Sequence, residues 1–149
     1  MLDVRDFGAA GDGRASDTKP IQAAIDACSA VGGGTAHFPA GAYMTGALTM
    51  RSHVTLHLEA GAILLASEDP ADYPVIRSRW EGVEQETYAP LIGGSDLEGI
   101  AVVGRGTVDG RGEIWWERFR RSHDLALHYP RPRLISFADC RNVLIEGVI

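Results

Sequence analysis

The sequence predicts an all-β chain wound as a parallel β-helix, a solenoid, with a short N-terminal capping α-helix. Three observations predict it. Residues 6 to 43 run from a polar glycine turn (Asp6-Phe7-Gly8-Ala9-Ala10-Gly11-Asp12-Gly13) through one amphipathic helix to Gly32-Gly33-Gly34 and then to two-residue alternation. A short theme, one polar residue followed by apolar side chains two apart, recurs as His53-Val54-Thr55-Leu56, Gly99-Ile100-Ala101-Val102 and Asn142-Val143-Leu144-Ile145. Eighteen glycines and seven prolines supply the tight corners that a coil stack needs and a helical bundle does not.

The helix is predicted over about residues 18 to 31. Ile21, Ala24, Ile25, Cys28 and Val31 form one apolar stripe, with Gln22, Asp26 and Ser29 opposite. Asp17 or Thr18 suits the N-cap and Pro20 the first turn, where a missing N–H costs little. The three glycines end it, and a run of short strands follows. Val54, Ile100 and Val143 are 46 and 43 residues apart, and each gap is expected to hold two coils of roughly 22 residues. Alternation resumes at Ile63 in the first gap, and at Thr107-Val108-Asp109 in the second, after a Gly104-Arg105-Gly106 corner. Residues 68 to 88, charged and carrying Pro70 and Pro74, read as an inserted loop.

A coil stack exposes an apolar face at each end unless it is capped. The helix serves as the N-terminal lid. Val143 to Ile149 stay apolar and strand-like, so the expectation is a single domain over 1–149 that is the N-terminal part of a larger β-helix, truncated at its C-terminal end. Self-association through the uncapped coil is expected.

A net charge of −6 argues against nucleic acid, whose phosphates need a basic face. No apolar run reaches the 18 or so residues of a membrane span, so no membrane partner is expected. Met1-Leu2-Asp3-Val4-Arg5 has no apolar signal core, so the expectation is a cytoplasmic protein or a secreted one whose leader has been removed. Charge is uneven: residues 1 to 76 carry 4 basic and 9 acidic groups, whereas residues 111 to 149 carry 7 arginines against 5 acids. That arginine-rich stretch is either solvated decoration or a local positive surface for a polyanionic sugar. Cys28 and Cys140 read as reduced thiols, too far apart in the stack to pair.

Candidate chemistry is sparse. His53 and His57 alternate with Thr55 between them, but no third ligand is spaced to complete a metal site, and His123 and His128 lie in a polar stretch. Asp12-Gly13 with Asp17 lacks the ligand pattern of a calcium loop. No metal and no cofactor are expected. Asp109 reads as a turn residue, Glu113 and Glu117 as solvated acids, and Trp115 and Trp116 as packing aromatics rather than sugar platforms.

The opening run from Asp6 to Tyr43 resembles the N-terminal segment of pectin-lyase-like enzymes, which lyases and phage tailspikes share. The ordered set Arg79-Trp80-Glu81-Gly82, Tyr88-Ala89-Pro90-Leu91-Ile92, Gly104 to Gly110 with Trp115-Trp116, Arg131-Pro132-Arg133-Leu134 and Cys140-Arg141-Asn142-Val143 narrows the match. Together these resemble glycoside hydrolase family 28, the polygalacturonases, over almost the whole chain. The resemblance implies a right-handed parallel β-helix and inverting hydrolysis of α-1,4-galacturonan or a related pectic polysaccharide. Inversion needs one carboxylic acid on the leaving oxygen and a second that activates water on the opposite face. The family carries these acids in Asn-Thr-Asp and Asp-Asp motifs, followed by Gly-His-Gly and Arg-Ile-Lys. None of the four occurs here: Asn142 is the only asparagine and precedes Val143, Lys19 is the only lysine, and no two aspartates are adjacent. The expectation is therefore a pectin-degrading enzyme portion with no catalytic residue of its own, inactive alone.

The charged insertion over residues 68 to 88 can shape a cleft on the rigid scaffold, and it offers Arg79, Trp80 and Glu81 for substrate binding: Arg79 on a galacturonate carboxylate, Trp80 against a ring face, Glu81 on a hydroxyl or orienting Arg79. A structural ion pair that fixes the loop is the competing reading. Alternatives for the whole are a polysaccharide lyase and a noncatalytic carbohydrate-binding or tailspike-like module. Endo or exo action, and plain galacturonan or a branched pectin, are not legible.

Overall fold

A computed structural model describes residues 1–121 and 131–149. His123 and His128 lie outside the described residues. In chain order the elements are β1 (Leu2–Asp3), a 3-10 turn (Val4–Phe7), β2 (Asp12–Ser16), α1 (Thr18–Ala30), β3 (Gly34–Phe38), β4 (Gly41–Thr45) and β5 (Leu48–Thr49). Next come β6 (Val54–Leu58), β7 (Ala62–Ala66), a 3-10 turn (Pro70–Asp72), β8 (Val75–Trp80), β9 (Val83–Tyr88) and β10 (Ile92–Ser95). Among the described residues, β11 (Glu98–Gly104), β12 (Thr107–Asp109), α2 (Gly112–Arg120), β13 (Ile135–Ala138) and β14 (Arg141–Glu146) follow.

Three parallel sheets form the walls of the solenoid: β1-β3-β6-β11-β14, β12-β7-β4-β2 and β13-β10-β5. The antiparallel pair β8-β9 stands apart as a hairpin. Each coil visits the three walls in turn, and the alternation of each strand sends one row of side chains inward. Ala36, Leu56, Val102 and Ile145 stack at one register position, and Leu48, Ile92 and Ile135 at another. Most of this column is sealed: Ala36, Phe38, Tyr43, Leu56, Leu58, Leu64, Ile92 and Val102 are fully buried.

The register corrects the expected coil count. β3 pairs β6 at Thr35↔Thr55, β6 pairs β11 at Thr55↔Ala101, and β11 pairs β14 at Ile100↔Val143. Each gap between the recurring motifs is therefore one coil enlarged by an insertion, not two. The first insertion carries the β8-β9 hairpin and the second carries α2, so sequence spacing counted inserted residues as rungs. The Gly104-Arg105-Gly106 corner is tight because an added Cβ on Gly104, at φ +123°, would meet the Leu58 backbone nitrogen at 3.0 Å. Ile63, expected to restart the buried row, faces outward between buried Ala62 and Leu64.

α1 covers the first coil with Ile21, Ala24, Ile25 and Cys28. Its stripe stops there: Val31 is 80% exposed, because the helix has ended at Ala30. Asp17 occupies the N-cap but makes no side-chain cap bond. Its buried carboxylate instead accepts the N–H groups of Ala10 (2.7 Å) and Gly11 (3.0 Å), pinning the opening turn to the helix. The Thr18 hydroxyl accepts from Gly46 N–H at 2.8 Å, which fastens the same helix end to the first coil. Cys28 is buried and Cys140 half-buried, both as free thiols, and burial raises the pKa of the Cys28 thiol.

Candidate functional site

The short sheet β5-β10-β13 has an outward row of small residues. Thr49, Gly93 and Ser136 share one register position, facing away from the inward row of buried Leu48 and Ile92 and half-buried Ile135. The Pro90 ring packs over Gly93, which is buried, so the floor is made of Thr49, Pro90 and Ser136, and the hairpin inserted just before β10 supplies a wall. The result is a groove of about 460 Å³ lined by this floor together with Arg51, Ile76, Arg77, Ser78, Tyr88 and Arg133. Three guanidinium groups thus border one groove. Arg51 Nε pairs with Asp26 Oδ1 at 2.9 Å, and Arg77 Nε lies 3.7 Å from Glu84 Oε2 on an exposed surface. Arg133 donates to Ser78 Oγ at 3.3 Å and to the Arg79 carbonyl, both neutral oxygens. A guanidinium spent on neutral acceptors keeps its charge for an anionic ligand, and the fork geometry suits a carboxylate.

The wall is held by stacked planes. The Arg133 guanidinium lies 4.3 Å from the Trp80 ring centroid, and Arg131 sits 5.9 Å from the same ring and 4.9 Å from Phe119. Behind the hairpin, Trp115 of α2 is buried, with an edge-to-face contact to Tyr73 at 5.5 Å and a tilted one to Tyr88 at 6.1 Å. Tyr73 donates its hydroxyl to the Ser67 carbonyl at 2.8 Å, and burial pushes its phenol well above the ordinary tyrosine pKa. The two insertions, one before β10 and one after β12, therefore pack on each other. A second cavity of about 450 Å³ opens there, lined by Trp80, Trp116, Arg131, Arg133 and Leu134 among others.

The structure separates the three residues that the sequence grouped. Trp80 faces the second cavity and lies under Arg133. Arg79 is exposed on β8, and its carbonyl is the Arg133 acceptor. Glu81 and Gly82 make the two-residue hairpin turn, at φ 50° and 84°, a left-handed pair typical of such loops. Within the groove the nearer residues are Arg77 and Ser78, two and one positions before Arg79 in the same strand, with Arg133 from the far side. Arg133 was legible only as one of several C-terminal arginines; its contact with Trp80 spans 53 residues and has no local signature.

Other candidates fall into place. Asp109 Oδ1 accepts the Arg111 N–H at 2.9 Å, as a turn residue does, and Glu113 and Glu117 are exposed. Trp115 packs as expected, but its neighbour Trp116 is 59% exposed. The Asp12 carboxylate accepts N–H bonds from Arg14 and Ala15, and these hold its pKa below the usual value. His53 does not share a face with His57: it sits in the turn before β6 at φ 63°. The neighbour of His57 is His37, directly across from it on β3.

A family model described as "Rhamnogalacturonase A/epimerase, pectate lyase-like" matches residues 1–60. A Vitis vinifera protein named "Probable polygalacturonase" is 37% identical over 152 residues, covering 96% of this chain and 30% of that protein. The exo-poly-α-D-galacturonosidase of Dickeya chrysanthemi is 37% identical over 132 residues, covering 83% of this chain and 21% of that enzyme. Among solved structures, a hyperthermoactive exopolygalacturonase from Thermotoga maritima superposes with a TM-score of 0.86 at 32% identity, covering 99% of this chain and 40% of that one. The family 28 exopolygalacturonase of Yersinia enterocolitica gives a TM-score of 0.81 at 27% identity over 99% of this chain and 34% of its own. The chain spans about a third or less of the length of the curated relatives named here. With parallel walls, an N-terminal cap helix and these likenesses, the chain has the polygalacturonase-like, pectin-lyase-type right-handed β-helix fold of glycoside hydrolase family 28.

Proposed function

We propose that this chain forms N-terminal coils of a pectin-degrading glycoside hydrolase, which hydrolyses α-1,4-galacturonan or a related pectic polysaccharide with inversion. These coils bind the polyanionic sugar. The observation that carries the reading is the groove beside β5-β10-β13, with a floor of small residues and with Arg51, Arg77 and Arg133 on its rim. The small floor residues Thr49 and Ser136, with the Pro90 ring over Gly93 between them, leave room for a sugar ring, and each guanidinium can take a uronate carboxylate in a two-pronged contact. Arg79, Trp80 and Glu81 extend this surface at the hairpin end: Arg79 takes a carboxylate beyond the groove, Trp80 braces Arg133 and offers an edge to a ring, and Glu81 meets a hydroxyl.

The acids that cleave the bond are supplied by Asn-Thr-Asp and Asp-Asp motifs that the sequence lacks, so the 149 residues alone bind without turnover. A reducing-end assay on polygalacturonate tests that half: the chain yields no new ends, and measurable hydrolysis would overturn it. Calorimetric titration with trigalacturonate and with its neutral methyl ester tests the other half. Replacing Arg79 or Arg77 with alanine is expected to weaken the charged ligand several-fold while leaving the ester nearly unchanged. Equal effects on both ligands would remove the carboxylate assignment. A lyase or epimerase reading rests on the first 60 residues, which match the broad epimerase-containing family model, and that stretch contributes to the groove only Thr49, Arg51 and their apolar neighbours.

A further inference from the structure

We propose that His37, His57 and Glu59 form a binding site for a divalent transition-metal ion, with Zn²⁺ as the best fit, on the outer face of the five-stranded sheet. The sheet register builds it. Asp3 of β1, His37 of β3 and His57 of β6 occupy one row across adjacent strands. This row faces outward, because the flanking Ala36, Phe38, Leu56 and Leu58 point into the core and are fully buried. Glu59, one residue past β6, folds back over the row. His37 Nε2 lies 3.1 Å from Glu59 Oε1, His57 Nδ1 lies 3.9 Å from the same oxygen, and one ligand atom from each of the three falls within 4.8 Å of the others.

Tetrahedral zinc at its usual bond lengths of about 2.0–2.1 Å needs ligand atoms roughly 3.3 Å apart. The observed spacing requires only small side-chain rotations, on strands whose backbone the core already fixes. Asp3 stands behind it: its Oδ2 lies 3.9 Å from His37 Nδ1, on the ring atom opposite the one that faces Glu59, and a small side-chain rotation brings it within hydrogen-bond reach. A carboxylate behind a ligating imidazole sets the tautomer that presents the other nitrogen to the metal. Two imidazoles and one carboxylate favour zinc, copper or nickel over the all-oxygen preference of magnesium and calcium. Three protein ligands leave the fourth position to water, so the ion is exchangeable. The bound ion would clamp β3 to β6, the two strands that open the stack behind the cap helix.

Titration calorimetry on the chelator-stripped 149-residue chain tests this, with Co²⁺ absorption in the visible as a second reading of the ligand set. One equivalent of Zn²⁺ is expected to bind, and Mg²⁺ to give no competing heat. His57→Gln and Glu59→Gln, both at partly exposed side chains, should weaken Zn²⁺ by more than about 100-fold, and Asp3→Asn by about tenfold. Circular dichroism in chelator checks that the variants keep the wild-type spectrum. Zn²⁺ binding that is unchanged in both ligand variants, absent in the wild type up to about millimolar ion, or displaced equally by Mg²⁺ would overturn the site.

Discussion

The coils and the insertions between them are two different kinds of structure on one chain. A coil is held by an inward row every second residue, stacked on the next coil through a parallel ladder, and its interior is mostly apolar. The insertions bury little of their own. All of β8 except Ser78 and Trp80 is exposed, and it is fixed by a guanidinium stacked on Trp80, a bond from Arg133 to the Arg79 carbonyl and the Tyr73–Trp115–Tyr88 cluster. The coils make a rigid floor whose outer face any sugar-binding chain can inherit. The insertions decide what stands beside that floor, and hence the charge of the groove.

This contrast can be broken most forcefully from the coil side. Phe38→Ala removes a fully buried ring from the column, which contacts Tyr43 edge to face at 5.5 Å, and should cost about 3–5 kcal/mol by urea denaturation. A loss no larger than that of a surface change would mean that the column is not packed. Asp17→Ala should cost about 1–3 kcal/mol, because it removes two hydrogen bonds to a buried carboxylate from the N–H groups of exposed Ala10 and half-buried Gly11, and Asp17→Asn should recover part of that.

On the insertion side the expected losses are smaller and local. Arg133→Ala should lower the stability of the hairpin by roughly 1–2 kcal/mol, seen as faster hydrogen exchange and protease cutting within residues 75–88, with the global urea midpoint nearly unchanged. A matching drop in the global midpoint would show that insertion and coil melt as one unit. Val83→Ala, at a position 61% exposed, should shift stability by less than about 0.5 kcal/mol.

The same division explains what the sequence made legible. The cap helix and the strands that hold Val54, Ile100 and Val143 could be read because the inward row is a local period of two or 3.6, written in neighbouring residues. The number of coils was not legible, since an insertion and a rung have similar lengths and the register that separates them is a contact between residues 46 or 43 apart. Likewise Asp17 was recognisable as a residue for a helix start, but its partners lie back at Ala10 and Gly11. The hairpin region was marked by its charge and its prolines. Which arginine reaches the groove was not, because Arg133 meets Ser78 and Trp80 only through the fold. His37 and His57 escaped notice as a pair because they are adjacent across a sheet and 20 residues apart along the chain.

The central claim is that the arginine-rimmed face of β5-β10-β13 receives a uronate chain. A crystal structure of the 149-residue chain with trigalacturonate tests it most directly. Sugar density is expected along Thr49, Pro90 and Ser136, with carboxylates on Arg77 and Arg133. Density confined to the cavity beside Trp116, or a groove left vacant at ligand concentrations that saturate the calorimetric signal, would contradict it.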